Sequence, residues 1–507
     1  MRRSGVLLHP TSLPGIAGIG SIGAPAREFI DFLRSAQQQI WQMLPLVPID
    51  DGGCPYNSTS ALAYNVSLVD LADLCTSVFA KILSVDDLLD APTPKDLAHA
   101  DFGMARRYKA EKIKLAYERL ISRKDKDCAA LLAEYKLFCK TSSHWLDDFA
   151  LFEALQTETQ EPLWTNWPKG LRDRKKKDLV AAQKRLSNEI ELIQFGQFLF
   201  YKQWKLLQLK AKSANISLMG DVPIFVSSNS VDVWVNREIF QLDEAGKSLK
   251  VAGVPPDYFT PEGQLWGNPL YDWEKLAKTD YAWWKSRLAA LAELVDIIRI
   301  DHFRGFESFW EVDADAKTAI GGKWVKGPGI KFFNAMRKAF PKLEIVAEDL
   351  GINTPAVEKL RIDAGFSGMR VLQFGFPLDN ANDHHAPHMH ERDTVVYTGT
   401  HDNNTVVGWF NSLDHAAQDK VRRYLAIDGR DIAWQMIQCA LSSVAELAII
   451  PAQDLLSLGV QARMNVPGLA DGNWTWRLEK ALPAHIAHRL RDLSALYGRT
   501  PSRSTKS

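Results

Sequence analysis

Arg299 and Asp301 lie two residues apart in the apolar stretch 295–305, Val-Asp-Ile-Ile-Arg-Ile-Asp-His-Phe-Arg-Gly. The valine and isoleucines of this stretch predict a short strand that is buried on both faces. Residues two apart on a strand point to the same side, so the guanidinium and the carboxylate are expected to lie together. Because removing charges from water is costly, the two groups form either a structural ion pair or part of an active site.

Six charged or ionisable residues each lie at or just after the end of a predicted strand. Alone, each could be a cap, a salt-bridge partner or a buried histidine. Together they are better explained as an active site, because barrel enzymes place their active sites at the carboxyl ends of the strands. The chain has no HExxH motif or EF-hand loop, and a carboxylate-rich cleft with aromatic residues is typical of glycosidic bond chemistry. The six residues are Asp221, Arg299, Asp301, Glu348, His401 and Asp402.

Eight short apolar stretches must position these residues. Helical patterns, for example over 353–364 and 432–444, separate several of them. Short apolar strands that alternate with helices predict a parallel sheet, and eight of them predict a (β/α)8 TIM barrel. The stretches are 5–8, 40–47, 216–226, 295–305, 343–351, 369–374, 394–403 and 446–454.

Three segments differ from the barrel pattern, and we expect the catalytic barrel to span residues 1–497 around them. Residues at about 68–212 are poor in glycine and have helical spacing, which predicts a large, mainly helical insertion. The stretch at about 250–270 is rich in Pro, Gly and aromatic residues, and it predicts a lid-like loop or a rigid structural loop. The polar segment 498–507 predicts a disordered tail.

The charge balance bears on the partners of this 507-residue chain. Lys plus Arg and Asp plus Glu each number 61, so no net field would attract nucleic acid or an anionic membrane. We expect no nucleic-acid or membrane partner, and no protein partner is evident from the sequence. The 16 Trp, 12 Tyr and 23 Phe residues indicate either flat ligands such as sugar rings or ordinary core packing.

The cysteines and the amino terminus predict a cytoplasmic protein. Five cysteines, widely spaced and without a CxxC pair, indicate reduced thiols and argue against structural zinc. The apolar run Val6 to Leu8 is too short for a signal peptide, and no stretch has the length needed to span a bilayer.

Longer motifs resemble those of the α-amylase superfamily and, more narrowly, the 4-α-glucanotransferases of glycoside hydrolase family 77, also called amylomaltases or disproportionating enzymes. The resemblance runs from about Gly5 to Tyr497, and it is closest to the shorter bacterial form without an added N-terminal domain. The motifs are Leu8-His-Pro-Thr-Ser-Leu-Pro-Gly15, Trp41-Gln-Met-Leu-Pro-Leu46, Gly253-Val-Pro-Pro-Asp-Tyr-Phe259, Gly263-Gln-Leu-Trp-Gly-Asn-Pro269, Arg299-Ile-Asp-His-Phe-Arg-Gly305, Ala347-Glu-Asp-Leu-Gly351, Thr400-His-Asp-Asn403 and Arg463-Met-Asn-Val-Pro467.

The resemblance implies the catalytic roles. Asp301 would be the nucleophile, Glu348 the general acid and then base, and Asp402 the carboxylate that holds sugar hydroxyls and stabilises the transition state. A retaining mechanism needs one ionised and one protonated carboxyl, and Asp301 crowding Glu348 would favour a proton on Glu348. Substrate-binding roles are implied for Tyr56, Asp221, Asp257, Trp266, Arg299, His302, His401 and Asn465.

The implied activity moves α-1,4-glucan segments from a donor maltodextrin to the 4-hydroxyl of another glucan or glucose. We expect no metal or other cofactor, because the sequence supplies no obvious calcium cage and no nicotinamide or phosphate site. An α-1,4-glucan hydrolase with the same triad and a non-catalytic glucan-binding protein are the alternatives. The loop at 250–270, with Tyr258, Phe259 and Trp266, could favour transfer by holding acceptor rings and excluding water. The chain departs from the family's Ser-Pro-Tyr-Gln and Ala-Gly-Asn-Pro motifs, with Cys54-Pro-Tyr-Asn57 and Ala63-Tyr-Asn-Val66 in their place.

Overall fold

Twelve strands are present in the computed structural model, which describes residues 2–256, 260–351, 353–376, 382–469 and 471–501. The strands are β1 (Arg3–Leu7), β2 (Ile40–Gln42), β3 (Ser217–Pro223), β4 (Lys250–Val254), β5 (Gln264–Pro269), β6 (Ile297–Asp301), β7 (Ser308–Asp313), β8 (Lys323–Lys326), β9 (Glu344–Ala347), β10 (Gly368–Val371), β11 (Thr394–Tyr397) and β12 (Leu447–Pro451).

Eight of these strands form one parallel sheet, in the order β10-β11-β12-β1-β2-β3-β6-β9. The two end strands meet where Val346 pairs with Ser367 in parallel, and the amide of Ala347 donates to the carbonyl of Ser367 at 2.9 Å. This contact closes the sheet into a barrel, so the predicted (β/α)8 fold is confirmed. Each of the eight predicted stretches overlaps one barrel strand.

The barrel strands are apolar because most of their residues have no access to water. Every residue of β10, β11 and β12 is buried. In an all-parallel barrel, helices cover the outer face and side chains fill the interior, so a strand reads as a continuous apolar run rather than an alternating one. A charged side chain at the end of such a run is therefore a candidate for a functional residue.

Sixteen α-helices connect and cover the strands of the described chain. Five of them, within residues 102–213, lie between β2 and β3 in the sequence, whereas residues 66–88 contain only short 3-10 helices. The first two of these five begin at aspartate caps, since Asp101 and Asp125 accept hydrogen bonds from the amides of Met104 and Cys128. How the chain divides into domains stays a prediction. The helices are α1 (Ala24–Ser35), α2 (Phe102–Ser122), α3 (Lys126–Thr159), α4 (Lys169–Arg172), α5 (Lys176–Arg185), α6 (Ser187–Ser213), α7 (Val231–Val235), α8 (Trp273–Lys278), α9 (Ala282–Ala292), α10 (Ile330–Ala339), α11 (Pro355–Ala364), α12 (Val406–Ser412), α13 (His415–Leu425), α14 (Ile432–Ser442), α15 (Ala452–Leu455) and α16 (Ala484–Leu496).

A second sheet replaces most of the loop expected at 250–270. It is antiparallel, in the order β5-β4-β7-β8, and β4 and β5 form a hairpin within that stretch. Strand β5 was not predicted from the sequence, because it contains Gly267 and Pro269 and both residue types are unfavourable inside a sheet. They are accommodated here because β5 is an edge strand. Residues 257–259, which lie between β4 and β5 in the sequence, are outside the described residues.

No helix in the described ranges combines the length and the apolar character needed to cross a membrane.

Candidate active site

Arg299 joins two carboxylates at the carboxyl ends of neighbouring strands. Its Nη1 atom lies 2.6 Å from Oδ2 of Asp221, on β3, and 2.9 Å from Oδ1 of Asp301, the last residue of β6. The arginine and Asp221 side chains are almost fully buried, whereas the Asp301 side chain keeps 27% of its surface exposed. Asp301 is therefore the carboxylate of this trio that a substrate can reach.

Asp221 is occupied by protein groups. Its Oδ2 atom also accepts a 2.8 Å hydrogen bond from the hydroxyl of Tyr56. Burial raises the pKa of Asp221 to about 6, while the charge of Arg299 opposes that rise, so the carboxyl is ionised at neutral pH. In this structure Asp221 orients Arg299 and Tyr56 and is shielded from the cleft.

Glu348 directly follows β9 and is held by two backbone amides. The amide of His302 donates to Oε2 at 2.7 Å, and the amide of Leu350 donates to Oε1 at 2.9 Å. Burial and then the negative charge of Asp301 raise the pKa of Glu348 to about 8, against the lowering effects of Arg299 and the two amides. Glu348 is therefore protonated at neutral pH, next to the carboxylate of Asp301.

Asp402 lies in the loop after β11, and its side chain is 42% exposed. Its Oδ1 atom accepts a 2.6 Å hydrogen bond from Nδ2 of Asn465, and Nε2 of His401 lies 3.4 Å from the same oxygen. Arg463 donates from Nη2 to the backbone carbonyl of Asp402 at 2.7 Å. A third carboxylate is thus fixed at the rim by the segment that follows β12.

Aromatic rings connect these groups on one side of the cleft. The ring of Tyr56 stacks on His401 with centroids 5.3 Å apart and planes 16° apart. Trp474 lies 5.7 Å from Tyr56 and 5.8 Å from His401. Trp474 also belongs to the site, although it was not predicted from the sequence. The sequence feature that could have indicated it is a tryptophan in the loop segment Asp471-Gly-Asn-Trp474. Its backbone is left-handed, with φ 67°, a conformation that is uncommon outside glycine and is often found at functional sites.

Trp266, on β5, lies on the Glu348 side of the site. Its ring meets His302 edge to face at 4.8 Å, and the residue is 37% exposed. Burial lowers the pKa of His302 to about 4, so its imidazole is neutral at pH 7. The structure thus places an accessible aromatic ring next to the histidine whose amide holds Glu348.

Apart from one residue, the sequence-predicted site residues form a single set of contacts. Tyr56 links Asp221 to His401, Arg299 links Asp221 to Asp301, and the backbone of His302 links Asp301 to Glu348. Asp257, like Tyr258 and Phe259, lies outside the described residues.

Within the part of the chain that the structure describes, no group of three or more His, Cys, Asp or Glu residues is placed to hold a metal ion.

The fold and the site together define a class: a (β/α)8 barrel enzyme of glycosidic bond chemistry, with several carboxyl groups at the carboxyl ends of its strands. A family model for 4-alpha-glucanotransferase matches residues 8–483, and the chain belongs to that family, glycoside hydrolase family 77. The family expectation from the sequence motifs is confirmed. The activity is that of a 4-alpha-glucanotransferase, and neither the hydrolase nor the non-catalytic alternative is favoured.

Individual relatives with this activity are similar to the chain over nearly their full length. The chain is 45% identical to the 4-alpha-glucanotransferase of Synechocystis sp. over 98% of both chains, and 42% identical to that of Thermus thermophilus over 96% of both. Among solved structures, the amylomaltase from Streptococcus agalactiae in complex with acarbose aligns with a TM-score of 0.94 and 34% identity, covering 99% of this chain and 100% of that one.

Proposed function

We propose that this protein transfers α-1,4-glucan segments by a retaining double displacement in which Asp301, Glu348 and Asp402 are the catalytic residues. The observation that carries the proposal is the difference between two adjacent carboxyls. Glu348 has a raised pKa of about 8, and Asp301 is paired with Arg299. One can therefore donate a proton while the other attacks, as retention requires.

In the first step, a carboxylate oxygen of Asp301 attacks the anomeric carbon of the donor sugar. Glu348 gives its proton to the glycosidic oxygen, the bond between that oxygen and the anomeric carbon breaks, and the leaving glucan departs with a free 4-hydroxyl. The donor remains attached to Asp301 as a glycosyl ester. Asp402 binds hydroxyls of the reacting sugar and stabilises the positive charge that develops on its ring.

In the second step, the 4-hydroxyl of an acceptor glucan or glucose attacks the anomeric carbon of the ester. Its proton passes to the Glu348 carboxylate, the ester bond breaks, and Asp301 is released as a carboxylate. One α-1,4 bond is broken and one is formed, so the number of reducing ends does not change. Maltodextrins are the donors that we propose.

Transfer requires that the acceptor compete with water for the glycosyl ester. We propose that Trp266 helps, because its exposed ring lies against His302, whose amide holds Glu348. An aromatic face can hold a sugar ring and exclude water at the same time.

The products formed from maltotriose test this function. We expect glucose and a ladder of longer maltodextrins, with little gain in total reducing ends. Thin-layer or ion-exchange chromatography measures the ladder, and a reducing-sugar assay on the same samples measures hydrolysis. Conversion of maltotriose to glucose and maltose, with one new reducing end per cleavage, would contradict the transferase assignment and identify the protein as a hydrolase.

We also propose that the protein works in the cytoplasm. The proposal is supported by the cysteines, since all five are free thiols in the structure.

A further inference from the structure

We propose that Asn465 and Arg463 are positioning residues that fix the orientation of Asp402. The proposal rests on the catalytic role proposed for Asp402 above. Asn465 follows β12 by 14 residues in the sequence and is separated from Asp402 by 63 residues. Its amide nitrogen Nδ2 nevertheless lies 2.6 Å from Oδ1 of Asp402, and its side chain is buried.

Arg463 ties the two residues to each other. Its Nη2 atom donates to the backbone carbonyl of Asp402 at 2.7 Å, and its Nε atom donates to the backbone carbonyl of Asn465 at 2.7 Å. One planar guanidinium thus holds both the main chain that carries the carboxylate and the main chain that carries the amide. The side chain of Asn465 then completes a closed ring of three hydrogen bonds.

This ring leaves the two oxygens of Asp402 unequal. Oδ1 is engaged by Asn465 and approached by His401, whereas no hydrogen bond from a described residue reaches Oδ2. Oδ2 is therefore the oxygen that is available for a sugar hydroxyl. Because a half-exposed carboxylate on a loop has several rotamers, a fixed partner on Oδ1 selects one of them before the substrate binds.

Direct substrate binding by Asn465 is the competing explanation. A residue that binds the ground state and the transition state equally raises KM when it is removed and leaves kcat unchanged. A residue that orients a transition-state-stabilising carboxylate affects kcat instead. The two explanations therefore predict different kinetics for the same variant.

The first experiment uses Asn465→Ala in the full chain. We expect kcat on maltotriose to fall by about ten- to a hundredfold, the usual effect of losing a hydrogen bond to a charged group, with a smaller change in KM. In the Asp402→Ala background, measured with an activated glycosyl fluoride donor, Asn465→Ala should cause little further loss, because it acts through Asp402. A rise in KM at unchanged kcat, or full losses in both backgrounds, would overturn the proposal.

The second experiment uses Asn465→Asp, which preserves the shape of the side chain. Two carboxyls at this separation share a proton, so the acid limb of the kcat/KM profile should move to higher pH by about one unit or more. Asn473→Ala is the control, because Asn473 supports the same loop through its hydrogen bonds to Val466 and Leu469 and none of its hydrogen bonds goes to Asp402. Its acid limb should stay in place. An unmoved limb in Asn465→Asp would contradict the proposal.

Arg463 is tested by partial rescue. Arg463→Lys can hold one of the two carbonyls and should retain more kcat than Arg463→Ala, without a matching difference in KM. Equal losses in the two variants would exclude the arginine from the positioning role.

Near-normal kinetics in all of these variants, with an inactive Asp402→Ala, would reject this inference and leave the proposed function intact. An active Asp402→Ala would instead reject the role of Asp402 itself.

Discussion

The backbone amide of His302 donates a 2.7 Å hydrogen bond to Oε2 of Glu348. It can do so because His302 has a left-handed backbone, with φ 52°, directly after β6 ends at Asp301. The residue that directly follows Asp301 in the chain therefore also holds Glu348. Backbone donors keep a fixed position, so the relation between the two carboxyls is set before substrate arrives.

Removal of either reacting carboxyl gives the first prediction. Asp301→Asn should lower turnover of maltotriose by about three orders of magnitude or more, since no glycosyl ester can form. Glu348→Gln should lower it by about 10²–10⁴, the usual contribution of a general acid. With a glycosyl fluoride, whose leaving group needs little protonation, Glu348→Gln should recover ester formation, whereas Asp301→Asn should not. Near-normal turnover in Asp301→Asn would show that the site is misassigned.

The raised pKa of Glu348 predicts an alkaline limit to activity. The acid form is needed in the first step, and it is lost as the pH rises through about 8. The kcat/KM profile, which reports the free enzyme, should therefore fall on its alkaline side with a midpoint near that value. Steady-state kinetics with maltotriose in a constant-ionic-strength buffer series measures it. A flat profile to about pH 10 would contradict the assignment of Glu348 as the acid.

The same pKa predicts a cost in stability. An unfolded glutamate ionises near pH 4.3, whereas the folded Glu348 keeps its proton until about pH 8. The protonated form contributes fully to the free energy of unfolding at pH values below the pKa of the unfolded glutamate. This contribution is lost as the pH rises to the pKa of the folded Glu348. Glu348→Gln should therefore gain stability relative to the wild type between about pH 5 and about pH 8, with no further gain above. Urea midpoints across that range measure the difference, and a constant difference would contradict the prediction.

Trp266→Ala should weaken transfer more than hydrolysis. Without the exposed ring beside His302, acceptor sugars lose a contact and water gains access to the glycosyl ester. Trp324→Ala is a matched control, because Trp324 is equally exposed on the same antiparallel sheet and contacts Arg304 and Trp310 instead. The measured quantity is the ratio of transfer products to new reducing ends from maltotriose. An unchanged ratio in Trp266→Ala would exclude this role.

Activity should persist in excess chelator. The proposed chemistry uses only carboxyl groups, and it assigns no step to a bound cation. Transfer on maltotriose after exhaustive treatment with EDTA should match the untreated enzyme, with a buffer-exchanged sample as the control. Loss of activity that calcium restores would show that the enzyme depends on a bound metal ion.

The sequence by itself determined the barrel and the main candidates for chemistry. A strand buried on both faces must be apolar throughout, so the eight runs could be recognised without knowledge of their neighbours. A charged residue at the end of such a run is conspicuous, which is why Arg299, Asp301, Glu348 and Asp402 could be named from the sequence. Strand β5 escaped recognition because Gly267 and Pro269 are tolerated only at a sheet edge, and edge position is a property of the sheet.

Only the tertiary structure decided which groups serve the site indirectly. Asp221 looked like the other strand-end carboxylates, but its side chain is fully buried and its Oδ2 atom is held by Arg299 and Tyr56. The contact between Asn465 and Asp402 spans 63 residues of sequence. The ring contact between Trp474 and Tyr56 likewise joins distant loops. Periodicity reports how a residue relates to its own element, whereas such contacts depend on how loops from different strands meet at one end of a closed barrel.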